Sequence, residues 1–511
     1  MTHDPRRRRF LLAAAGLCGL GLSGGVAARP QRYAGRADPF TLGVASGEPA
    51  ADGFVIWTRL LPEDGAPLPP VPIEVDWEVA GDDHFRRVLR RGTAHALPEW
   101  GHSVHVEVSG LPPGRSYAYR FSAGAMRSRS GWSRTLPVTG GERLRLALAS
   151  CQHYEDGYYA AYRHMAGQDL DLVLHLGDYL YESNLKAPVR AHGHPEPVDL
   201  DGYRRRHAVY KRDPDLQRAH ARHPWMGVWD DHDVTNDYAG LWPPTAFGAT
   251  PPERFALRRA AAYQAWYEHM PLRRGARPVA GGMPLFRSCR VGDLATLHLL
   301  DTRQYRDRQP CATETWGGGR NAACRERTRA GRTMLGAVQE RWLAGRLRED
   351  SGVWPLLVQS LMLAPFERRQ DGEARWWTDG WDGYPAARGR LLADIATSGV
   401  GAPLVFGGDI HSWWASELRD GPEGRALATE IVTTSISSRG VPYAAFAADL
   451  PHNPHVHAFE SRQRGYTCCT LTRREGRVEW FGVADVRDPA SPVVRVRSFA
   501  LEAGRAGVTD A

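Results

Sequence analysis

Residues 174–183 read LHLGDYLYES, an apolar run that turns abruptly acidic and aromatic. Leu170, Leu172, Val173 and Leu174 lead into it, and a short apolar run of this kind reads as a buried strand. In α/β proteins such strands deliver their last residues to a sheet edge, where chemistry is kept. Asp178 and Tyr181 stand at that edge, three residues apart. A carboxylate and a phenol make a poor core pair. They make better sense with a cation between them.

Three more apolar strands end in the same unusual way. LALASCQ (146–152) ends at Cys151, VWDDHDVTND (228–237) carries Asp231, His232 and Asn236, and LVFGGDIH (404–411) carries Asp409 and His411. Singly, each has a plain explanation: Gly-Asp after a strand is a turn or cap, and a buried Cys is inert packing. Four together do not. If these strands share a direction, their C-terminal loops converge. Carboxylates gathered there repel and shift one another's pKa unless cations neutralise them. Asp, His and Asn are hard-to-borderline ligands, and two metals sharing a carboxylate clamp phosphoryl oxygens. His232, beside Asp231, is placed to give a proton to a leaving oxygen.

Outward from these strands the chain divides. Residues 38–137 read as β throughout (FVIWTRL, IEVDWEVA, HSVHVEVSGL, SYAYRFSAG), with Gly/Pro turns between. Their length predicts an immunoglobulin- or fibronectin-like β-sandwich, and the missing Cys pair favours the fibronectin-like form. LPVTGGER (136–143) reads as a linker. From about residue 142 to 505, short apolar strands alternate with helical stretches, the signature of one large α/β domain.

The N-terminus carries an Arg-rich run (Arg6 to Arg9), an apolar Gly/Ala-rich stretch from Phe10, and small residues at Val26-Ala27-Ala28. That pattern predicts a cleaved signal peptide over residues 1–28, and Arg7-Arg8 with Phe10-Leu11 resembles a twin-arginine signal. Its loss removes four Arg and Asp4, so the net charge falls from +7 to +4. That is too mild for a nucleic-acid stripe, and no later segment is apolar enough to span a membrane. Of seven cysteines, Cys18 lies in the signal, and no CxxC pair suggests structural zinc. Cys311 and Cys324 are placed to bridge after export, whereas adjacent Cys468 and Cys469 read as small buried groups. His452, His455 and His457 sit between prolines and read as a surface loop rather than a second metal site.

The phrases FTLGVASGEPAADGFVIWTRL, SCQ, GDYLYE, WDDHDVTND, LDTRQYR, WDGYPAAR, FGGDIHS and RGYTCCTLT occur in this order from about residue 38 to 475. Together they resemble the PhoD-type alkaline phosphatase/phosphodiesterase family. The resemblance implies a β-sandwich followed by a calcineurin-like metallophosphatase core, two sheets flanked by helices, with ferric iron and calcium. Carried over by motif, Cys151, Asp178 and Tyr181 bind iron and Asp178 bridges to calcium. Asp231, Asn236, Asp409 and His411 complete the metal shell, their division between the metals left open. Asn236-Asp237 departs from the Asn-Asn expected there, which adds a carboxylate. The implied activity is hydrolysis of phosphate monoesters, diesters or both by a metal-activated water, with Asp178 and His232 catalytic and Arg303 or Arg439 binding substrate.

The expected partners are a small phosphate ester and the twin-arginine export machinery, for a periplasmic or secreted monomer without specific nucleic acid. Two rivals remain at this point. One is an iron-dependent phospholipase D with the same metal centre. The other is a surface binding protein that has lost its metals.

Overall fold

A computed structural model describes residues 29–243, 251–312, 317–421 and 423–511. The expected signal peptide, residues 1–28, lies outside them. The run before Asp178 is the strand Leu172–Leu176, with all five side chains buried. It pairs in parallel with Arg143–Ala149 on one side and Pro224–Val228 on the other. Burial on both faces explains why the run is continuously apolar rather than alternating.

A second sheet of seven strands has a parallel centre made of Ala295–Leu299, Trp354–Val358, Leu404–Gly407 and Ala426–Val432. The two sheets share one core, in which Leu146, Leu148 and Leu174 meet Leu297, Leu356 and Phe406. The helices Leu200–Lys211, Pro214–Arg222 and Pro252–His269 pack with the first sheet through Tyr210, Leu216 and Trp266. Gly336–Glu349 and Pro385–Ser398 cover the second, where Leu343 and Leu391 meet Leu357 and Val405. The architecture is mixed α/β: two sheets that share a core, with helices packed outside them. No helix among the described residues is long and apolar enough to cross a membrane.

The N-terminal segment differs from the free-standing sandwich expected for residues 38–137. It does contain two β layers, with Phe54, Ile56 and Val106 packed against Val75, Val79 and Phe121. One of those layers, however, is built from Val44–Ala50, Gly53–Arg59 and Ser103–Val108, which belong to the same ten-stranded sheet as Leu172–Leu176. The join is the parallel pairing of Ser46 and Gly47 with Pro224 and Trp225. The physical reason lies in FVIW: Trp57 packs on the opposite face from Phe54 and Ile56, against Leu42 and Ala208, and its indole N–H donates to the Glu268 carbonyl. A strand covered on both faces is internal to a larger sheet, not half of a separate module.

Beneath this sheet lies an unusual basic cluster. Lys211 Nζ is 3.2 Å from His220 Nε2, the Tyr179 hydroxyl is 2.7 Å from the same nitrogen, and His207 stacks on His269 at 4.5 Å. His175 packs edge-on to Tyr179. Burial, then the neighbouring Lys211, lowers the His175 pKa to about 3. Burial and then Lys211 hold His207 and His220 well below the usual imidazole range, and burial and then Arg59 do so for His269.

These four imidazoles are neutral in the folded chain but titrate near ~6.5 once unfolded. The unfolded state therefore takes up protons first as pH falls, so stability is present above pH ~6.5 and lost below it, at about 1.4 kcal/mol per pH unit for each group. The expected outcome is that the stability gap between the wild type and His207→Gln narrows from pH 7 to pH 5, because the variant lacks one of these groups. An equal gap at both pH values in thermal unfolding would contradict it.

Candidate metal centre

Four strand ends meet at one site, three of them lining a cavity. Arg143–Ala149 delivers Cys151, Leu172–Leu176 delivers Asp178, Pro224–Val228 delivers Asp231 and His232, and Leu404–Gly407 delivers Asp409 and His411. The first three strands come from one sheet and the fourth from the other. The chain bends sharply here: Cys151, Asp178, Asp237, Asp409 and His411 all have left-handed backbone, with φ between 54° and 66°. Such a conformation costs a residue with a Cβ roughly 1–2 kcal/mol, and it persists where surroundings enforce it, often at functional sites. Gly177, at φ 103°, precedes Asp178 because a Cβ there would lie 2.5 Å from the Asp230 Cβ.

Donor atoms of Cys151, Asp178 and His411 lie within 4.8 Å of one another, as do those of Asp178, Asp231 and His232, and of Asp230, Asp231 and Asp409. Asp178 and Asp231 are each shared between groups. The Tyr181 hydroxyl donates to Asp178 Oδ2 at 2.8 Å and lies 3.0 Å from His411 Nε2. Ser438 Oγ donates to the same phenol at 2.9 Å. The Cys151 thiol, 1% exposed, is 2.8 Å from Ser150 Oγ. Asn236 lines the same cavity of about 340 Å³ as Asp178, Asp231, His232, Asp409 and His411. A thiol, a phenol, an imidazole and several carboxylates in one buried spot form a donor set for more than one cation.

Comparison with known proteins bears directly on this arrangement. A family model described as PhoD-like phosphatase matches residues 146–480, and one for the PhoD-like phosphatase N-terminal domain matches residues 25–137. The chain belongs to the PhoD-like phosphatase family. It is 40% identical to alkaline phosphatase D of Bacillus subtilis (strain 168), an alignment covering 98% of this chain and 88% of that protein. The solved structure titled "Structure of PhoD" superposes with a TM-score of 0.87 at 40% identity, covering 93% of this chain and 92% of that one.

The electrostatics of this PhoD-like phosphatase explain why the donors need cations. Burial, then the charges of Asp231, Asp230 and Asp233, push the Asp178 carboxyl well above its usual range, against the pull of His232. Burial and Asp230 do the same to Asp409. Burial and Asp178 raise both the Cys151 thiol and the Tyr181 phenol. A protein alone thus disfavours the ionised forms of these four groups, and a nearby cation reverses that. Asp231 is an exception: burial opposes its charge, yet Arg303 and His232 hold its carboxyl below the usual range. His232 is another. Burial opposes its charge, yet Glu182, Asp231 and Asp178 together hold its imidazolium well above the ordinary value.

Two residues expected to bind substrate stand elsewhere. Arg303 is fully buried, not at the cavity surface. Its guanidinium pairs with Asp230, donates to Asp379 at 2.8 Å, and lies 3.7 Å from Asp231 and 3.8 Å from Asp409. Four carboxylates so close need an internal counter-charge, and that need draws Arg303 beneath the site rather than into it. Arg439 is at the surface, its Nε bonded to Asp156 at 2.8 Å, while its carbonyl accepts from His411 Nδ1 at 2.7 Å. Its backbone orients a candidate ligand; its side chain lies outside the cavity lining. Asp237, the departure from the family pattern, is buried, with its N–H donating to Asp231 Oδ2 at 2.6 Å. Burial, then Asp379 and Asp231, raises its pKa to about 7.

Sequence reasoning missed Glu182, Asp233 and Asp379. Glu182 accepts from His232 Nδ1 at 2.7 Å and from the Asn236 N–H at 2.7 Å. It sat inside the quoted GDYLYE phrase, at a position no strand pattern singles out. His455 contacts the Pro365 carbonyl and His457 pairs with Glu417, so among the described residues that histidine run joins no metal-capable group. The Cys311–Cys324 bridge is formed.

Asp178 is shared by two of the donor groups, so Asp178→Asn should lower bound metal and cut kcat at least ~100-fold, while circular dichroism stays native. Near-normal turnover in the folded variant would remove the shared-carboxylate assignment.

Proposed function

We propose that this chain is an exported, metal-dependent phosphoesterase of the alkaline phosphatase type, built on a calcineurin-like core and hydrolysing phosphate monoesters, diesters or both. The observation that carries it is the convergence of Asp178, Asp231, Asp409, His411 and Asn236 on one cavity beside His232, whose Nδ1 lies 2.7 Å from Glu182 Oε2. Cys151, Asp178, Tyr181 and His411 would hold ferric iron, since calcium prefers oxygen and does not select a thiolate. Asp231, Asn236 and Asp409 would hold calcium, with Asp178 between the two. Bound there, the cations supply positive charge for the phosphoryl oxygens and acidify water.

The chain's own residues do the rest. Glu182 Oε2 accepts from His232 Nδ1 at 2.7 Å, fixing the ring and leaving Nε2 for the cavity. The His232 ring stacks on Tyr181 at 4.1 Å, so it cannot rotate freely. A protonated Nε2 can then protonate the departing oxygen, a contribution of roughly 10²–10⁴ in rate. Arg303 keeps Asp230, Asp231 and Asp409 from repelling one another.

Export accords with residues 1–28 acting as a twin-arginine signal, and the Cys311–Cys324 bridge suits an oxidising compartment. We place the mature domains at 38–137 and 142–505, joined through the shared sheet. The reading is tested by assaying natively exported protein for phosphate release from a panel of mono- and diesters, alongside metal analysis. Metal-free protein, or no turnover of any ester, would overturn it.

Two predictions follow from the residue roles. Glu182→Gln removes a charge that raises the His232 pKa. The acid form is the active one, so activity is lost as pH rises through that pKa. The alkaline limb of the kcat profile should therefore move to lower pH, with kcat on that side falling roughly tenfold to a hundredfold. An unmoved alkaline limb in stopped assays would sink the proton-donor role.

Charge transfer from phenolate or thiolate to ferric iron absorbs visible light, so the loaded enzyme should be coloured. Tyr181→Phe should shift or bleach the band and release iron. Tyr179→Phe should keep the colour, because its hydroxyl faces His220 in the buried histidine cluster. Active, natively loaded protein that is colourless and iron-free would leave only the broader metal-dependent reading.

A further inference from the structure

Besides the donor groups, the cavity lining includes an apolar set: Met362, Phe366, Phe446, Trp381 and Trp377. Phe366 and Phe446 stack in parallel at 5.8 Å, and both are buried, as is Trp381. Trp377 is different: it stands at the cavity and is 45% exposed. Its neighbour Trp376 is covered by the Arg327 guanidinium at 3.9 Å, but no ring or cation covers Trp377 among the described residues. A small sheet presents it, Arg320–Asn321 with Glu373–Trp377 and Arg368–Gln370, and Arg320 lies directly opposite Trp377 in the ladder. Arg368 is engaged, paired with Asp449 and packed over Phe446 at 3.7 Å. Arg320 makes no ion pair among the described residues and adds a cation at the same lip.

Size narrows what belongs there. A phosphate group occupies the space of a few waters, at about 30 Å³ each, so most of a cavity of about 340 Å³ is left for what the phosphate carries. An open indole face favours a flat ring, which stacks on it, over a thin alkyl group, which covers little of it.

We propose that Trp377 is a specificity-determining residue, the platform of a subsite for a flat aromatic substituent on the phosphate ester. This rests on the phosphoesterase reading of the donor groups.

Three non-hydrolysable inhibitors test it on the metal-loaded enzyme: methylphosphonate, n-hexylphosphonate and phenylphosphonate. Phenyl and hexyl match in carbon count, so they separate ring stacking from general apolar contact. Phenylphosphonate should bind about tenfold more tightly than methylphosphonate, with hexylphosphonate weaker than phenyl. In Trp377→Ala the phenyl-to-methyl ratio of inhibition constants should collapse about tenfold, the usual scale for losing a stacking platform, and in Trp377→Phe it should largely return. Equal binding of phenyl and methyl in the wild type would overturn the subsite. So would hexyl matching phenyl, which would mean an alkyl groove, or a phenyl advantage that survives Trp377→Ala. Methylphosphonate inhibition reports the donor groups alone. If it fails together with all ester turnover, the phosphoesterase reading falls and takes the subsite with it.

Discussion

Asp233 accepts hydrogen bonds from the backbone N–H groups of Asp178, Tyr179 and Asp230, at 2.9 to 3.1 Å. One buried carboxylate thereby ties together the ends of two adjacent parallel strands. Everything at the cavity depends on this clamp. It satisfies N–H groups freed where the ladder stops, and it fixes Asp178 in a left-handed conformation it would not choose alone. Burial raises the Asp233 pKa to about 7, so the clamp itself works against a desolvation cost that its N–H partners offset.

The clamp gathers carboxylates, and gathering carboxylates in a dry place is the second constraint. Asp178, Asp230, Asp237 and Asp409 are pushed toward their neutral forms there, while Asp231 and Asp379 are held ionised by the arginines beside them. Arg303 is the internal part of the answer, with Arg306 paired to Asp379 beside it. The external part, on the proposed reading, would be cations held by the donor groups. This division explains why a residue that looked like a substrate arginine is buried: the fold needs a permanent counter-charge that does not leave with product. A guanidinium, which stays charged and offers several donors in a rigid fork, suits that task better than an ammonium.

The strand ends were legible because burial on both faces writes itself as a continuous apolar run, and the residue after the run stands out. Cys151, Asp178, Asp231, Asp409 and His411 were all found that way, and the structure brings them together. Glu182 and Asp233 were not, since they act through hydrogen bonds to a ring nitrogen and to backbone N–H groups, contacts with no sequence period. The N-terminal layer was misplaced for a related reason. FVIWTRL reads as one strand of a separate sandwich, although Phe54 to Trp57 are apolar without a break, the same mark that identifies Leu172–Leu176. Arg303 lies beneath the cavity rather than in its lining, a placement not legible in the sequence, which gives a charge but not the side of the sheet on which it lies.

The site also constrains how the chain reaches its working form. Cys151, Asp178 and Asp231 come from one sheet, while Asp409 and His411 come from the other, so the donor set exists only once the two sheets have packed. Metal binding to such a set stabilises the folded state against an unfolded chain that holds no site. Without a cation, burial and mutual repulsion hold Asp178, Asp409, Cys151 and Tyr181 toward their neutral forms; a cation bound there would displace those protons and turn the same proximity into binding energy. A chain built in this way benefits from folding and loading in one compartment before it moves to another. That is the physical sense in which a route for folded cargo, proposed from Arg7 and Arg8, fits the centre that the strand ends assemble.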